Sequence, residues 1–253
     1  MWRQAARCCL ATSSGYALCR DEGCGLPATW TPCPLKRVVP HNHDTAVFVF
    51  ATPDDTPLRL PVCGCIHLKA PGREHGGGDA VRPYTPIAEA ASFDRLSLRA
   101  ESSGEFALLV KMYREWGFRP EGQNETPAFA ASYRPPGAVS TFVHEAPACA
   151  ELRYGNVNFR YPFEGVDRVN MIAVGAGIAP MIQCLERLLF TPGDTTKVVL
   201  MYGNRSVKDV LLRETLDRWA REFPDRLTVV YCVGSRLCDL GSGAHAAAPA
   251  SGF

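Results

Sequence analysis

Three features that would place the chain in a large functional class are missing from the sequence. The formal net charge at pH 7 is only +1, so the chain has no excess of basic charge to attract nucleic acid. No apolar run approaches the roughly 20 residues that cross a bilayer, which predicts no transmembrane segment. The eleven cysteines do not follow a disulfide-framework spacing and are interpreted as thiols in a reducing compartment. What remains is a soluble, globular chain of 253 residues, long enough for two small domains.

Both ends of the chain differ in composition from the centre. The first twenty residues include Arg3, Arg7 and Arg20, and no acidic residue occurs before Asp21. This composition is typical of a mitochondrial transit peptide, and a disordered tail is the alternative for residues 1–28. Residues 234–253 are rich in Ala, Gly and Ser, which predicts a second tail because such a segment buries too little apolar surface to order.

The first half of the chain, residues 36–163, carries β-strand patterns. Short β-branched and aromatic runs separated by turn residues predict a barrel or a sandwich. The runs span residues 44–52, 61–70, 104–113 and 151–163. Two irregular connections separate them, at 71–80 and 114–136, and the longer one predicts a functional loop or an insertion.

The second half, residues 167–233, alternates strands with helices. Apolar runs at 168–175, 197–204 and 227–233 are of the buried-strand type. A helix is predicted from Pro180, and a second helix over 206–223 is predicted to open with a capping box. The order β-α-β-α-β indicates a parallel sheet.

The turn after the first of these strands, "VGAGIAPM" at 174–181, lacks the third glycine of a dinucleotide-binding fingerprint. Gly175 and Gly177 occupy the first two glycine positions, and Pro180 occupies the third. Either the match arises by chance or the turn belongs to another nucleotide-binding architecture.

Three further motifs contain residues suited to a phosphate and a ring system. In "RPYTPI" (82–87), Arg82 can hold a phosphate bidentately, while Tyr84 offers a ring face and Thr85 a donor. "LLVKMY" (108–113) and "GAVSTF" (137–142) offer a Lys and a Tyr on one strand face and a glycine-led anion cradle. Each motif alone also fits an ordinary turn or strand.

No metal site is predicted. Cys63-Gly-Cys65 with His67 has no second ligand pair, so it is interpreted as core packing. His41-Asn-His43 is interpreted as a surface turn on the same grounds.

The order of these motifs resembles that of the ferredoxin–NADP reductase superfamily, and within it the NADH–cytochrome b5 reductase family, in its plant mitochondrial form. The segments "YGNRSVKDVLLRETLD" (202–217) and "PVCGCIHLKAPG" (61–72) carry the same resemblance. It implies a six-stranded antiparallel flavin-binding barrel followed by an incomplete Rossmann-like parallel α/β domain.

The resemblance also implies an oxidoreductase activity. Hydride would pass from NADH to FAD, and single electrons would pass to a haem protein such as cytochrome b5, with Thr85 nearest the reactive flavin nitrogen. Residues implied for FAD are Arg82, Tyr84, Thr85, Val110, Lys111, Tyr113, Gly137, Val139 and Ser140. Residues implied for the pyridine nucleotide are Gly175, Ala176, Gly177 and Pro180.

The family continues past the third α/β strand, so the resemblance implies truncation after Val233. The alternative expectation is a non-catalytic relative, either a truncated product or a structural subunit, in which a partner covers the exposed sheet edge. NADH and NADPH are both left open, since Arg205 could attract a 2′-phosphate or could be a solvated loop residue.

Overall fold

The structure, a computed structural model, describes residues 24–74, 76–87, 104–114, 136–157, 163 and 165–234. Most of the predicted transit peptide, nearly all of the 114–136 connection and the tail from 235 therefore lie outside the described residues. The chain divides into two compact units between residues 159 and 160, and each unit is described by itself. No helix in the described part is long and apolar enough to cross a membrane.

The described part of the first unit forms a six-stranded antiparallel sheet and a short α-helix, together with a 3-10 turn at Pro53–Asp55. The sheet order is β4-β3-β6-β1-β2-β5. The elements are β1 (Thr31–Pro40), β2 (Thr45–Ala51), β3 (Gly64–Ala70), β4 (Ala80–Tyr84), β5 (Glu105–Lys111), α1 (Ala138–His144) and β6 (Cys149–Val157). This sheet is the one expected for a flavin-binding domain.

The two edges of this sheet approach each other. Ile87, just beyond β4, donates its amide to the Ala107 carbonyl on β5 at 2.9 Å. Inside the curved sheet the core is continuous, with Phe50 and Phe106 stacked at a centroid distance of 5.9 Å. Alternate residues on the strands supply this core, because successive strand side chains point to opposite faces.

Strand β1 is not among the predicted runs, because its prolines conceal it in the sequence. Residues Thr31–Pro34 pair only with β6, and residues Leu35–Pro40 pair only with β2, with a bulge between Leu35 and Arg37. Each half of β1 therefore has one side that pairs with no strand. A proline, which has no N–H to donate, is tolerated on that side.

The second unit is a three-stranded parallel sheet in the order β7-β8-β9. Its main elements are β7 (Arg168–Val174), α2 (Ile178–Phe190), β8 (Lys197–Asn204), α3 (Arg213–Glu222) and β9 (Leu227–Val233). The predicted β-α-β-α-β order is confirmed. The strands are joined by crossover helices, as a parallel sheet requires.

Strand β7 is not buried on both faces in the described part of the chain, contrary to the prediction. Met171 and Ala173 are buried, whereas Ile172 is 72% and Val174 71% exposed. Met201 on the neighbouring strand β8 is 46% exposed. The apolar run at β7 is typical of a strand buried on both faces. In the structure, only its alternate side chains lie in the core of the second unit.

The predicted single helix over 206–223 is also wrong. A short 3-10 turn, Val207–Asp209, is followed by Leu212 in the left-handed region, with a φ of 56°, and α3 begins only at Arg213. Val210, Leu211 and Leu212 are all buried, and three consecutive side chains cannot share one helix face. The Ser206 hydroxyl donates to Asp209 Oδ2 at 2.7 Å within this short turn and does not cap a helix backbone.

Candidate cofactor-binding sites

The Arg-Pro-Tyr-Thr motif lies at the carboxyl end of β4. The Arg82 guanidinium is 53% exposed and lies 3.4 Å from the Glu74 carboxylate. Tyr84 is half-buried, and burial raises the pKa of its phenol, with the nearby Tyr113 phenol adding to the rise and Arg82 opposing it. Thr85 follows directly and is half-buried. The exposed Arg82 guanidinium therefore lies two residues from Tyr84, whose phenol stays protonated and neutral.

The predicted flavin residues on β5 lie where that strand ends. Val110 is buried. The Lys111 ammonium lies 2.9 Å from the Asp44 carboxylate, and both side chains are largely buried. The Tyr113 ring, two residues further, is 52% exposed. An exposed aromatic ring at a strand end is suited to stacking on a planar ligand.

The glycine-led motif begins helix α1 and is fastened to the end of β5. The Gly137 amide donates to the Tyr113 carbonyl at 2.8 Å. The Ser140 hydroxyl accepts from the Tyr113 amide at 3.4 Å and donates to the Gly137 carbonyl at 3.0 Å. A Cβ at Gly137 would lie 2.5 Å from Ser140 Oγ and 3.1 Å from Tyr113 Cβ. Only glycine allows this close approach.

Helix α1 brings the flavin motifs together. It packs against β3, β4 and β5, and Val139, Ser140 and Val143 form its buried face. The strands that carry the predicted FAD residues therefore meet at one short helix, where Tyr113 is hydrogen-bonded to Gly137 and Ser140. The exposed Arg82 guanidinium, the Tyr113 ring and the glycine cradle offer a cation, a ring face and backbone donors, which fits a flavin nucleotide.

The second candidate site is the turn between β7 and α2. Gly175–Gly177 form one 3-10 turn, in which Gly175 has a φ of 51°, a conformation that favours glycine. Among the described residues, a Cβ at Gly175 or Gly177 would meet no atom within 4 Å, so the turn is not packed against any of them. Pro180 is the third residue of α2. Ligands of open parallel sheets bind at this carboxyl edge, so the turn fits a pyridine nucleotide.

A buried tyrosine supports this turn. The Tyr202 hydroxyl on β8 donates to the Gly175 carbonyl at 3.0 Å and accepts from the Leu211 amide at 3.2 Å. Burial raises the pKa of Tyr202 to about 12, while the Leu211 amide and the Asn204 side chain oppose the rise. The Asn204 side chain is shielded beside the Tyr202 hydroxyl at the same edge of the sheet.

Four residues of these sites were missed at the level of the sequence, namely Asp44, Glu74, Tyr202 and Asn204. Tyr202 and Asn204 could have been predicted from the sequence, because they lie two residues apart at the carboxyl end of a predicted parallel strand. Asp44 and Glu74 could not have been, since each acts through a side chain distant in sequence.

Comparisons with known proteins agree with both sites. The family described as "Oxidoreductase FAD-binding domain" matches residues 32–152. The family described as "Oxidoreductase NAD-binding domain" matches residues 171–239. The two matches cover the motifs of the first and second unit respectively.

Individual relatives carry related names. NADH-cytochrome b5 reductase 2 of Mycosarcoma maydis is 30% identical over 202 residues, which is 78% of this chain and 49% of that protein. NADH-cytochrome b5 reductase 1 of Scheffersomyces stipitis is 32% identical over 206 residues, covering 81% of this chain and 61% of that protein. The chain thus spans about half to three fifths of the length of these relatives.

Among solved structures, the cytochrome b5 reductase domain of Ulva prolifera nitrate reductase aligns with a TM-score of 0.64 and 27% identity. The alignment covers 86% of this chain and 78% of that domain. The similarity therefore extends over both units of the fold.

Proposed function

This chain belongs to the FAD- and NAD-binding oxidoreductases of the cytochrome b5 reductase type, and we propose that it oxidises NADH and reduces a haem protein such as cytochrome b5. The observation that supports this most directly is that Arg82 and Tyr113 both act on the Tyr84 phenol, while Tyr113 is hydrogen-bonded to Ser140 of helix α1. The names of the relatives support the haem acceptor, and they are names of reductases rather than of structural subunits.

In this proposal the first unit holds FAD. Arg82 pairs with a flavin phosphate, which displaces Glu74 from the guanidinium. The Gly137–Ser140 cradle binds the pyrophosphate, and its close approach to Tyr113 sets where the phosphates lie. Tyr84 and Thr85 contact the flavin, with Thr85 at the reactive ring nitrogen. Val110, Lys111 and Tyr113 line the adenylate side, and the Tyr113 ring has the exposure that stacking requires.

The second unit holds NADH. Gly175, Ala176 and Gly177 let the dinucleotide approach the backbone closely, because the glycines leave the space beside the turn open. Pro180 lies in the first turn of α2, directly after the glycine turn. Bound FAD supplies the change from two-electron hydride acceptance to one-electron donation. The protein contributes the position of each nucleotide within its own unit.

The experiment is a visible spectrum of the purified protein before and after anaerobic addition of NADH, followed by addition of oxidised cytochrome b5. We expect flavin absorbance that NADH bleaches and that cytochrome b5 restores as its haem is reduced. A colourless protein would overturn the flavin assignment. A yellow protein that NADH does not bleach would support the non-catalytic alternative.

We also propose that the protein is mitochondrial. The support is the Arg-containing, acid-free composition of the first twenty residues. A fluorescent protein fused behind residues 1–28 should enter mitochondria. A variant fusion with Arg3, Arg7 and Arg20 changed to Gln should remain outside, and equal import of both fusions would contradict the proposal.

A further inference from the structure

Helix α1 is too short to be stable without contacts to the rest of the first unit. It has seven residues, Ala138–His144, and helices of this length are marginal in water unless tertiary contacts support them. Its first turn is fastened to the end of β5 through the Gly137 amide and the Ser140 hydroxyl. Val139 and Val143 also pack the helix against the sheet, and a hydrogen bond at its far end limits how the helix can turn on that face. The last residue of the helix makes this second attachment.

The second attachment is His144, the last residue of α1. His144 Nε2 lies 3.0 Å from the Val110 carbonyl oxygen on β5. Because a carbonyl only accepts, Nε2 is the protonated nitrogen and donates. The His144 ring also meets the Phe48 ring edge to face, with centroids 5.0 Å apart and an interplanar angle of 73°. This packing limits the rotation of the imidazole.

The two ends of α1 are thus tied to β5 and to the residues directly after it. The first end meets Tyr113 and the second meets Val110, two residues predicted to line the flavin nucleotide. We infer that His144 is a positioning residue of the flavin site: its hydrogen bond to Val110 holds α1 in the direction that aims the Gly137–Ser140 cradle at the flavin phosphates. This inference rests on the proposed flavin binding.

Loss of the His144–Val110 hydrogen bond should therefore weaken FAD binding. A helix that samples several directions presents the cradle correctly only part of the time, and the apparent dissociation constant rises by the inverse of that fraction. Loss of one hydrogen bond corresponds to a rise of about fivefold in the FAD dissociation constant. The residues that contact FAD stay in place, so binding weakens without being abolished.

Three substitutions separate the hydrogen bond from the packing. His144→Phe keeps a ring against Phe48 and removes the donor. His144→Gln keeps an N–H donor of similar reach, and His144→Asn keeps an amide that is too short to reach Val110. Glu145→Gln is the matched control, because it removes only the exposed ion pair with Arg73 beside the same helix end.

FAD dissociation constants of the deflavinated proteins would be measured by quenching of flavin fluorescence, with the melting temperature of each apoprotein recorded alongside. We expect about fivefold weaker binding for His144→Phe and His144→Asn, and values within twofold of wild type for His144→Gln and Glu145→Gln. If His144→Phe does not fold, the Gln and Asn pair decides.

Two results would overturn the inference. One is wild-type affinity in His144→Phe or His144→Asn, including the case in which only the melting temperature falls. The other is an equal loss of affinity in the Gln and Asn variants. Absence of FAD binding in the wild-type protein would instead refute the proposed function, so the two failures are distinguishable.

Discussion

The Tyr202 hydroxyl donates to the Gly175 carbonyl at 3.0 Å and thereby ties the proposed dinucleotide turn to the neighbouring strand. The same oxygen accepts from the Leu211 amide at 3.2 Å. One buried phenol therefore joins the turn after β7 to the segment after β8. Both segments lie at the edge of the sheet where a nucleotide binds.

Removal of this hydroxyl in Tyr202→Phe should weaken NADH binding. The Gly175 carbonyl and the Leu211 amide lose their partner, and each lost hydrogen bond costs about 1 kcal/mol. We expect the KM for NADH to rise about fivefold or more, with FAD content unchanged. Steady-state kinetics and the flavin-to-protein absorbance ratio measure the two quantities.

Tyr231→Phe is the matched control for this prediction. Tyr231 lies opposite Tyr202 on β9 and donates its hydroxyl to Asp217 Oδ1 at 2.7 Å, away from the turn. The Tyr231→Phe variant should have a lower melting temperature and an unchanged KM for NADH. Equal KM values for the two variants would show that Tyr202 does not support the turn.

A methyl group at Gly137 should disrupt the flavin cradle. The Cβ of Gly137→Ala would lie 2.5 Å from Ser140 Oγ and 3.1 Å from Tyr113 Cβ, so at least one of them must move. We expect FAD affinity to fall about tenfold, equivalent to about 1.4 kcal/mol. Gly78→Ala, where a Cβ would meet nothing within 4 Å, serves as the control and should bind FAD normally.

Neutralisation of Glu74 should strengthen FAD binding at low ionic strength. Glu74 lies 3.4 Å from the Arg82 guanidinium and competes with a flavin phosphate for it. Because exposed ion pairs contribute about 0 to 1 kcal/mol, Glu74→Gln should improve affinity up to about fivefold, and salt should erase the gain. Glu145→Gln removes one negative charge from another exposed pair and should have no effect. A gain of the same size in both variants would refute the competition.

Acidification should destabilise the first unit partly through His67. Burial lowers the pKa of His67, and Arg153 on the adjacent strand lowers it further. Protonation therefore favours the unfolded chain, so this contribution is complete above about pH 6.5 and is lost as the pH falls through the lowered pKa. Between pH 7 and pH 5 the wild type should lose more stability than His67→Gln in chemical denaturation. Parallel losses in the two proteins would contradict the assignment.

Substitution of the exposed β7 side chains should cost little. Ile172→Ser and Val174→Ser replace side chains that are 72% and 71% exposed, so each should change the free energy of unfolding by about 0.5 kcal/mol or less. Leu200→Ala, at a buried position on β8, should cost about 2 to 5 kcal/mol. Denaturation followed by circular dichroism compares them. A large cost at Ile172 would mean that this face is covered in the folded protein.

Sequence patterns predicted the architecture where the local signal and the packing agree. The β-α-β-α-β order was inferred from three apolar runs and the helix that includes Pro180, and the structure has this order. The patterns were misleading where packing overrides local preference. Pro32 and Pro34 concealed the start of β1, and the run over Val210–Leu212 was interpreted as helix although all three side chains are buried in a non-helical segment.

The identity and order of the chemical groups follow from the sequence: an Arg-Pro-Tyr-Thr motif, a Lys and a Tyr on a strand, a glycine-led cradle and a second glycine turn before Pro180. These are short-range patterns, because each depends on the conformation of a few consecutive residues. How the groups are held depends on packing between distant parts of the chain. The Lys111–Asp44 pair and the His144–Val110 and Tyr202–Gly175 hydrogen bonds join residues 27 to 67 positions apart. Such pairs form only after the strands and helices have packed, so no local pattern records them.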